Sequence, residues 1–284
     1  MPLNINTNAA ASAASYHLSK NNASLQKSLT RLSSGSRITQ PADDAGGLAV
    51  SMKLSGTINR LSGVEKNIDN AISFLQVQDG ILESGGKILD RMAELKALSQ
   101  DVLKNSSDIA NYNAEFKNLQ VQLFQMSESK FNGVSLFAST NATGDVTFNT
   151  SGSGNTVSIF TSATGESGSI VSINKSAMLA ALTIDATSGN VSNKKTFQNA
   201  ATSTTDEIRS FGSSTVSGAF ELGDVSVAVF TQALQNIATL RAENGGSVSR
   251  LQFSKESAAA QRTNLEAANG RIMDVDIASE STRL

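Results

Sequence analysis

The chain has 284 residues, enough for two domains of ordinary size, and its 23 Lys and Arg against 25 Asp and Glu give a net charge of −2. This balance excludes a strongly basic nucleic-acid-binding protein, whose affinity comes from neutralising phosphates. With no cysteine and a single histidine, His17, the sequence argues against a disulfide framework, a zinc enzyme and a nucleophilic triad.

The N-terminal segment carries a weak apolar repeat and no targeting signal. The start, MPLNINTNAAASAASYHLSK, has neither a basic n-region nor an apolar h-region, so we predict no cleavable signal peptide. Its apolar runs fall well below the roughly 20 residues that cross a bilayer, so we predict no membrane insertion. A seven-residue repeat predicts a first helix that carries Ala11, Leu18, Leu25 and Leu32.

An unbroken heptad of large aliphatic side chains predicts a long helix after Pro41. Repeats sustained over several heptads are typical of helices packed in coiled-coil fashion. We predict a helix from Asp44 to Lys104, about 90 Å long if fully helical, with Asp43 or Asp44 as its N-cap. Its core seam comprises Leu54, Leu61, Ile68, Leu75, Leu82 and Leu89.

Two further apolar patterns predict helices. Spacings of three and four from Ile109 to Met126 indicate a second helix, with Ser106 or Ser107 as N-cap. Asn132-Gly133 then predicts a turn into extended structure. Near the C-terminus, Gly245-Gly246 is expected to loosen a long helix locally. That helix carries Phe230, Leu234, Ile237, Leu240, Leu251, Ala258, Leu265 and Ile272.

The middle of the chain, residues 139–218, is rich in Ser and Thr and poor in charge. Alternating stretches at Val146–Phe148 and Val157–Phe160 predict strands, joined as a hairpin around Gly152-Ser153-Gly154. A short helix is predicted at Ser176–Leu182. The predicted fold class is therefore mainly α, with a coiled-coil-like rod formed by the N- and C-terminal segments and a small β-rich central insertion.

The sequence offers no constellation for catalysis. Asp43 and Asp44 are adjacent and do not face one another on a helix, so capping explains them better than paired acid–base chemistry. Asp274 and Asp276 also diverge. With no nucleophile, base and orienting group in a recognisable pattern, we predict no enzyme, no catalytic residue, no cofactor and no metal site.

Two terminal segments resemble the signatures of the bacterial flagellin family. LTRLSSGSRI at 29–38, followed by PADDAG at 41–46, looks like the N-terminal signature. NGRIMDVDIASE at 269–280 is similar to the C-terminal pattern Arg-Ile-x-Asp-x-Asp-x-Ala-x-Glu. ISFLQVQDGIL and LDRMAELKAL resemble the family's next helical blocks, and FNGV resembles the turn after its second helix. The resemblance implies an assembly motif of Arg31, Leu32, Ser33, Ser34, Gly35, Arg37, Ile38, Asp43, Asp44 and Gly46.

The resemblance implies a structural subunit that polymerises into the flagellar filament for motility. Residues 1–40 would form an inner-core helix, 41–138 and 219–284 the helical rod, and 139–218 a variable surface-exposed segment. The protein would be extracellular, exported unfolded without a cleaved signal peptide. Its partners would be copies of itself, the export apparatus, an export chaperone, and the filament cap and junction proteins. No cofactor, nucleic acid or membrane insertion is implied.

The resemblance also implies a further apolar helix beyond the Ala-x-Glu pattern. In the family this helix packs against the N-terminal segment inside the filament and binds the export chaperone. The present sequence stops at Leu284, so we expect either a truncated chain or a natural short variant.

Three other functions are compatible with parts of the sequence. The hook–filament junction protein shares a version of the Ser-x-Gly-x-Arg-Ile pattern, but the full run through Gly46 and the C-terminal signature favour flagellin. A carrier of a secreted central enzyme is disfavoured, because residues 139–218 hold no histidine and no clustered carboxylates. A non-flagellar coiled-coil protein would explain the seams but not the signatures.

A surface for immune recognition is implied by the same resemblance. In flagellins that the mammalian Toll-like flagellin receptor detects, the recognised surface uses an Arg and a Leu on one helix and a Glu on the next. Arg91, Leu95 and Glu115 stand at the matching places. Asp90 and Ala93 depart from the usual residues, so we expect recognition of the monomer that is weaker than for a full match and masked in the filament.

Overall fold

A computed structural model of the protein describes residues 9–138, 156–185, 190–191 and 208–282. The helices are α1 (Ala9–Ser34), α2 (Ala45–Ser99), α3 (Ser106–Ser127), α4 (Met178–Ala181), α5 (Val227–Met273) and α6 (Ile277–Ser281). The strands are β1 (Lys130–Phe131), β2 (Val134–Ser135), β3 (Thr156–Phe160), β4 (Ile170–Asn174), β5 (Thr183–Asp185), β6 (Asn190–Val191) and β7 (Ile208–Ser210). The predicted fold class, mainly helical with a small strand-containing centre, is confirmed.

The chain forms two compact units, and both long helices contribute to each of them. Unit 1 contains Met1–Gly63 and Ser257–Leu284, and unit 2 contains Val64–Glu256. The predicted division into an inner segment (1–40), a rod (41–138 and 219–284) and an outer segment (139–218) stays a prediction.

Helix α2 begins one residue after the predicted N-terminus and ends five residues before the predicted C-terminus. Asp44, rather than Asp43, is the cap: its Oδ1 accepts from the Gly47 N–H at 2.8 Å. The heptad seam lies on the buried side of the helix. Leu54 is half-buried, and the fully buried members are Leu61, Ile68, Leu75, Leu82 and Leu89.

The N-cap prediction for α3 was wrong. Asn105, rather than Ser106 or Ser107, caps the helix, and its side chain accepts from the Asp108 N–H at 2.9 Å. The Asp108 side chain accepts from the Asn105 N–H in return, which completes a capping box. Helix α5 runs through Gly245 and Gly246 without a break.

The Asn-Gly turn after α3 is confirmed. Asn132 and Gly133 have φ angles of 48° and 81°, and they join β1 to β2 as an antiparallel hairpin. Strand β3 covers the predicted strand at Val157–Phe160 and pairs antiparallel with β4, from Thr156–Asn174 to Phe160–Ile170. A second small antiparallel sheet has the order β6-β5-β7. The predicted short helix at Ser176–Leu182 is found as α4, whereas the predicted strand Val146–Phe148 and the turn Gly152–Gly154 lie outside the described residues.

Phenylalanine rings form the centre of unit 2. Phe211 stacks on Phe230 with ring centroids 5.2 Å apart, and both Phe220 and Phe116 pack edge-on against this pair. Buried amides hold the surrounding backbone: the Gln120 side chain bonds both the N–H and the C=O of Phe220, and Asn236 donates to the Ala181 carbonyl. Because burial of polar groups requires such partners, these amides fix how the central segment joins α3 and α5.

Candidate assembly site

The loop between α1 and α2 holds half of the predicted assembly motif, namely Gly35, Arg37, Ile38, Asp43 and Asp44. It starts at Gly35, whose φ of +69° is left-handed. This backbone conformation is energetically unfavourable for residues that have a Cβ. The Ser34 hydroxyl accepts from the Ser36 N–H at 3.3 Å. A residue other than glycine at position 35 would therefore have a strained backbone where the chain leaves α1.

This loop pairs with the C-terminal end of α5 through the backbone. The Arg37 N–H donates to the Met273 carbonyl at 2.6 Å, and the Val275 N–H donates to the Gly35 carbonyl at 3.0 Å. Ser36 and Asp274 thereby form an isolated antiparallel bridge. The two segments that resemble flagellin signatures, far apart in the chain, are thus directly hydrogen-bonded to one another.

Helix α6 adds a buried carboxylate to the same place. Asp276 caps α6 by accepting from the Ala278 and Ser279 N–H groups. Glu280 is buried and accepts from the Ser28 hydroxyl of α1 at 2.6 Å, and its other oxygen lies 3.8 Å from the Arg31 guanidinium. A carboxylate is stable in such a position only when hydrogen bonds and a cation compensate for lost water.

A second carboxylate, Asp43, organises the loop from inside. It accepts from the Thr39 N–H and hydroxyl and from the Gln40 N–H, and one oxygen lies 2.6 Å from the Lys27 ammonium. Lys27 and these donors hold the pKa of Asp43 well below its usual value. Arg31 lies between the two carboxylates, 3.9 Å from Asp43, and its buried Nε has no hydrogen-bond partner.

The remaining motif residues have simpler positions. Ile38 is buried, Leu32 is half-buried, and Ser33 and Ser34 are exposed. A Cβ at Gly46 would meet the Asp44 carboxylate only at an ordinary 3.6 Å. We call the contact region of the loop 35–44 with residues 273–280 and α1 the terminal junction.

Sequence reasoning did not predict several residues of the terminal junction and its surroundings, among them Gly47, Ser28 and Ser51. At Gly47, next to the predicted Gly46, a Cβ would lie 2.5 Å from Asp44 Oδ2 and 3.0 Å from Ile38 Cδ1. Ser28 supplies the hydroxyl to Glu280, and Ser51 on α2 donates to Asn269 Oδ1 on α5 at 2.7 Å. Gly47 could have been predicted from the pair of adjacent glycines at 46–47. Ser28 and Ser51 could not, because a single serine in a helical sequence does not indicate a buried contact.

Helix α1 leaves apolar side chains uncovered. Tyr16, Leu18, Leu25 and Leu29 are exposed, and Leu18 keeps 64% of its surface accessible. Ser28 is the buried residue of this helix. Exposed apolar side chains repeated along one helix form the kind of surface that is suited to contacts between molecules.

The predicted immune-recognition residues lie together in unit 2. The Arg91 guanidinium donates to both Glu115 oxygens, at 2.8 and 3.2 Å, and to Glu94 at 2.7 Å. These two carboxylates raise the pKa of Arg91, Glu115 having the larger effect. Leu95 is fully buried, as are the neighbouring Leu89 and Met92, so Arg91 and Glu115 form the accessible part of this surface.

The geometry of the described residues provides helix packing and hydrogen-bonded junctions rather than reactive groups. Among the parts of the chain that the structure describes, no cluster of His, Cys, Asp and Glu has the arrangement of a metal site. None of the helices described is long and apolar enough to span a bilayer. The long helices and the backbone pairing of the two terminal segments define a mainly helical structural protein.

Comparison with known proteins identifies the family. Residues 5–142 match the bacterial flagellin N-terminal helical region, and residues 227–284 match the bacterial flagellin C-terminal helical region. The flagellin of Bacillus subtilis is 30% identical over 283 residues, covering 98% of this chain and 89% of the relative. The flagellar filament 33 kDa core protein of Treponema phagedenis is 26% identical over 279 residues, covering 97% and 88%.

The chain belongs to the bacterial flagellin family. It is accordingly a structural subunit of a homopolymeric flagellar filament, an extracellular appendage, and not an enzyme. The matches favour this assignment over the hook–filament junction protein.

Proposed function

We propose that this flagellin builds its filament through the exposed apolar face of α1, and that the terminal junction holds α1 in the orientation that assembly needs. In this proposal, residues 1–40 contribute the inner contacts of the filament. Residues 41–138 and 219–284 form the rod, and residues 139–218 carry the variable outer part.

The hydrogen bond between Ser28 and Glu280 supports this proposal most directly. It joins α1 to α6 across 252 positions of the chain, in a buried setting where loss of one partner is costly. The uncovered leucines of α1 lie on the same helix, on either side of this anchor. Helix α1 is therefore anchored near its C-terminal end and exposes apolar side chains that a neighbouring subunit can bury.

Glu280→Ala tests the role of the terminal junction. It leaves the buried Ser28 hydroxyl without its acceptor and removes one of the two carboxylates beside Arg31, so we expect unit 1 to lose about 1–3 kcal/mol of stability. We also expect the critical concentration for polymerisation, measured by sedimentation, to rise. Glu266→Ala is the matched control, because Glu266 forms an exposed pair with Arg262 on α5. Polymerisation of the Glu280 variant at the wild-type concentration would contradict the proposal.

Export and the accessory partners follow from the family. We propose that the unfolded chain leaves through the flagellar export apparatus without a cleaved signal peptide, aided by an export chaperone, and assembles under the filament cap beyond the junction proteins. The absence of cysteine suits this route, since no disulfide can form and hold the chain folded before export. N-terminal sequencing of the secreted protein tests it: we expect an unprocessed start, and removal of 15–30 residues would contradict it.

A second role, recognition by the Toll-like flagellin receptor, is supported by the exposed pair of Arg91 and Glu115. Arginine is enriched among the residues that dominate interfaces, because its planar donors bind acceptors in fixed geometry. Leu95, being buried, would act by supporting the helix surface rather than by touching the receptor. Recognition would apply to the monomer and be masked in the filament.

A receptor reporter assay on purified monomer tests this role. Arg91→Ala should lower receptor affinity by more than about 1 kcal/mol, roughly a fivefold change. Lys87→Ala, one turn earlier on α2 and also paired with a glutamate, is the matched control and should signal like wild type. Equal signalling by all three proteins, or none from wild type, would show that this role is absent.

A further inference from the structure

The turn between α2 and α3 presents an aliphatic pair to solvent. Val102 is 95% exposed and Leu103 is 89% exposed, more than any other large hydrophobic side chain in the described part of the chain. Their neighbours Asp101 and Lys104 are charged. Two adjacent aliphatic side chains in water at the end of a helix form a small protruding surface, which we call the tip.

The tip is held in a defined conformation. The Leu103 N–H donates to Asp101 Oδ1 at 3.0 Å, and the Lys104 N–H donates to the Asp101 carbonyl at 3.2 Å. The Lys104 ammonium lies over the Tyr112 ring, 5.8 Å from its centre, and the capping box at Asn105 follows immediately. A preorganised surface loses little conformational entropy when it binds.

Unit 2 also contains an apolar groove among its described residues. The groove has a volume of about 290 Å³ and lies between α2, the β1–β2 turn and the β3–β4 hairpin. Two of the lining residues, Phe74 and Phe131, meet edge-on with ring centroids 6.0 Å apart, and a third, Val134, is 44% exposed. Its apolar lining includes Ala71, Phe74, Phe131, Val134, Val157 and Ile173.

The rim of the groove can bind a loop backbone. Asn67, Asn70 and Asn132 are exposed at the groove and carry amide donors and acceptors without charge. An aliphatic pair on a short turn presents backbone N–H and C=O groups next to its side chains, which such amides can pair. The rim and the lining therefore match the two chemical parts of the tip.

The tip of one chain cannot enter the groove of the same chain. Both are attached to α2, which is continuous from Ala45 to Ser99. From Ala71 in the groove to Ser99 the helix rises roughly 40 Å, at about 1.5 Å per residue. Because the tip and the groove are held this far apart on one continuous helix, they can meet only when they belong to different molecules.

We propose that the tip of one subunit inserts into this groove of the next copy of the same chain in the filament. The contact joins two different surfaces head-to-tail, and such a contact generates an open polymer when its rotation does not close a ring, as in the homopolymeric filament of this family. The proposal rests on the assignment of the chain as a filament subunit and names one contact within that filament.

Engineered cysteines test the contact, because the chain has no cysteine of its own. Filaments of a variant with Leu103→Cys and Val134→Cys are oxidised and separated on a non-reducing gel. We expect a ladder of covalent multimers from filaments and none from dilute monomer. The control variant combines Leu103→Cys with Phe253→Cys, since Phe253 is 71% exposed and does not line the groove. Filaments that give no ladder, or the same ladder from the control, overturn the proposal.

Loss of the tip's aliphatic surface provides a second, independent measurement. Val102→Ser with Leu103→Ser changes side chains that are almost fully exposed, so the thermal unfolding of the monomer should not change. The critical concentration for polymerisation should rise about tenfold or more, as expected when apolar contacts at an interface are lost. Val216→Ser, in another exposed position, should leave it unchanged. Wild-type polymerisation by the double variant overturns the docking, whereas failure of wild type itself to polymerise contradicts the filament assignment instead.

Discussion

Among single residues, Asp43 has the greatest electrostatic influence on the terminal junction. It gathers the Lys27 ammonium and the donors of Thr39 and Gln40 around one carboxylate. Because these groups favour the charged form, the pKa of Asp43 in the folded protein lies below its value in the unfolded chain. The stabilisation is therefore complete above about pH 4 and is lost as the pH falls through the lowered pKa.

Acidification should loosen the α1–α2 loop before unit 2 unfolds. Below about pH 4 we expect the protection factors of the amides at residues 36–44 to fall, while those of the amides around Phe230 are retained. Asp43→Asn removes the titrating group and should show faster exchange already at neutral pH, with a weaker dependence on acid. Asp44→Asn is the control, because asparagine caps a helix about as well as aspartate. The same dependence of amide exchange on pH at residues 36–44 in wild type and in Asp43→Asn would contradict this explanation.

Two glycines of unit 1, both with space for a Cβ, differ in whether their backbone conformation suits alanine. Gly35 has φ +69°, whereas Gly63 lies inside α2, and a Cβ at either would meet no atom within 4 Å. Gly35→Ala should destabilise the protein by about 1 kcal/mol, since alanine is strained in the left-handed region. Gly63→Ala should stabilise it by up to about 1 kcal/mol, since alanine favours helix. Urea unfolding measures both, and the same sign for the two changes would refute the argument.

At the scale of elements, α1 is anchored at one end. Its contacts with α6 involve Ser28 and Arg31, whereas Tyr16, Leu18 and Leu25 are exposed. Helices without tertiary packing are marginal in water. We therefore expect fast amide exchange in the monomer before about Leu25, slower exchange from Ser28 to Ser34, and strong protection of the whole helix in the filament. Strong protection around Leu18 in the monomer would contradict this prediction.

The central segment contributes to the core of unit 2 as well as to its surface. Phe211 is fully buried against Phe220 and Phe230. Phe211→Ala should cost about 3–5 kcal/mol of unfolding free energy, because it opens a cavity and removes the ring stack. Val216→Ala, in an exposed position nearby in the chain, should change stability by less than about 0.5 kcal/mol. Comparable losses in the two variants would mean that Phe211 is not a core residue.

The elements were more predictable than the contacts that position them. The heptad of α2 could be recognised because each apolar side chain repeats on one buried face. The cap of α3 was also encoded, in Asn105 followed three residues later by Asp108, although the two adjacent serines suggested a different start. The bond between Ser28 and Glu280 could not be predicted, because both residue types usually lie on the surface and only the fold brings them together.

For the whole molecule, the terminal junction explains why both ends of the chain carry a recognisable signature. The N-terminal signature makes the loop after α1, and the C-terminal signature supplies Met273, Val275 and Glu280 to bind it. Neither segment can satisfy its backbone groups and carboxylates alone. The two signatures therefore describe one structural site.

Electron cryomicroscopy of filaments grown from the purified protein shows whether α1 forms the contacts between subunits. We expect long filaments of uniform subunits, with the leucines of α1 buried between copies and the junction of Gly35, Met273 and Glu280 intact within each subunit. A protein that stays monomeric at high concentration when seeded with sheared filaments would contradict the account. Filaments in which α1 remains exposed, or in which the two signatures of one chain are separated, would contradict it equally.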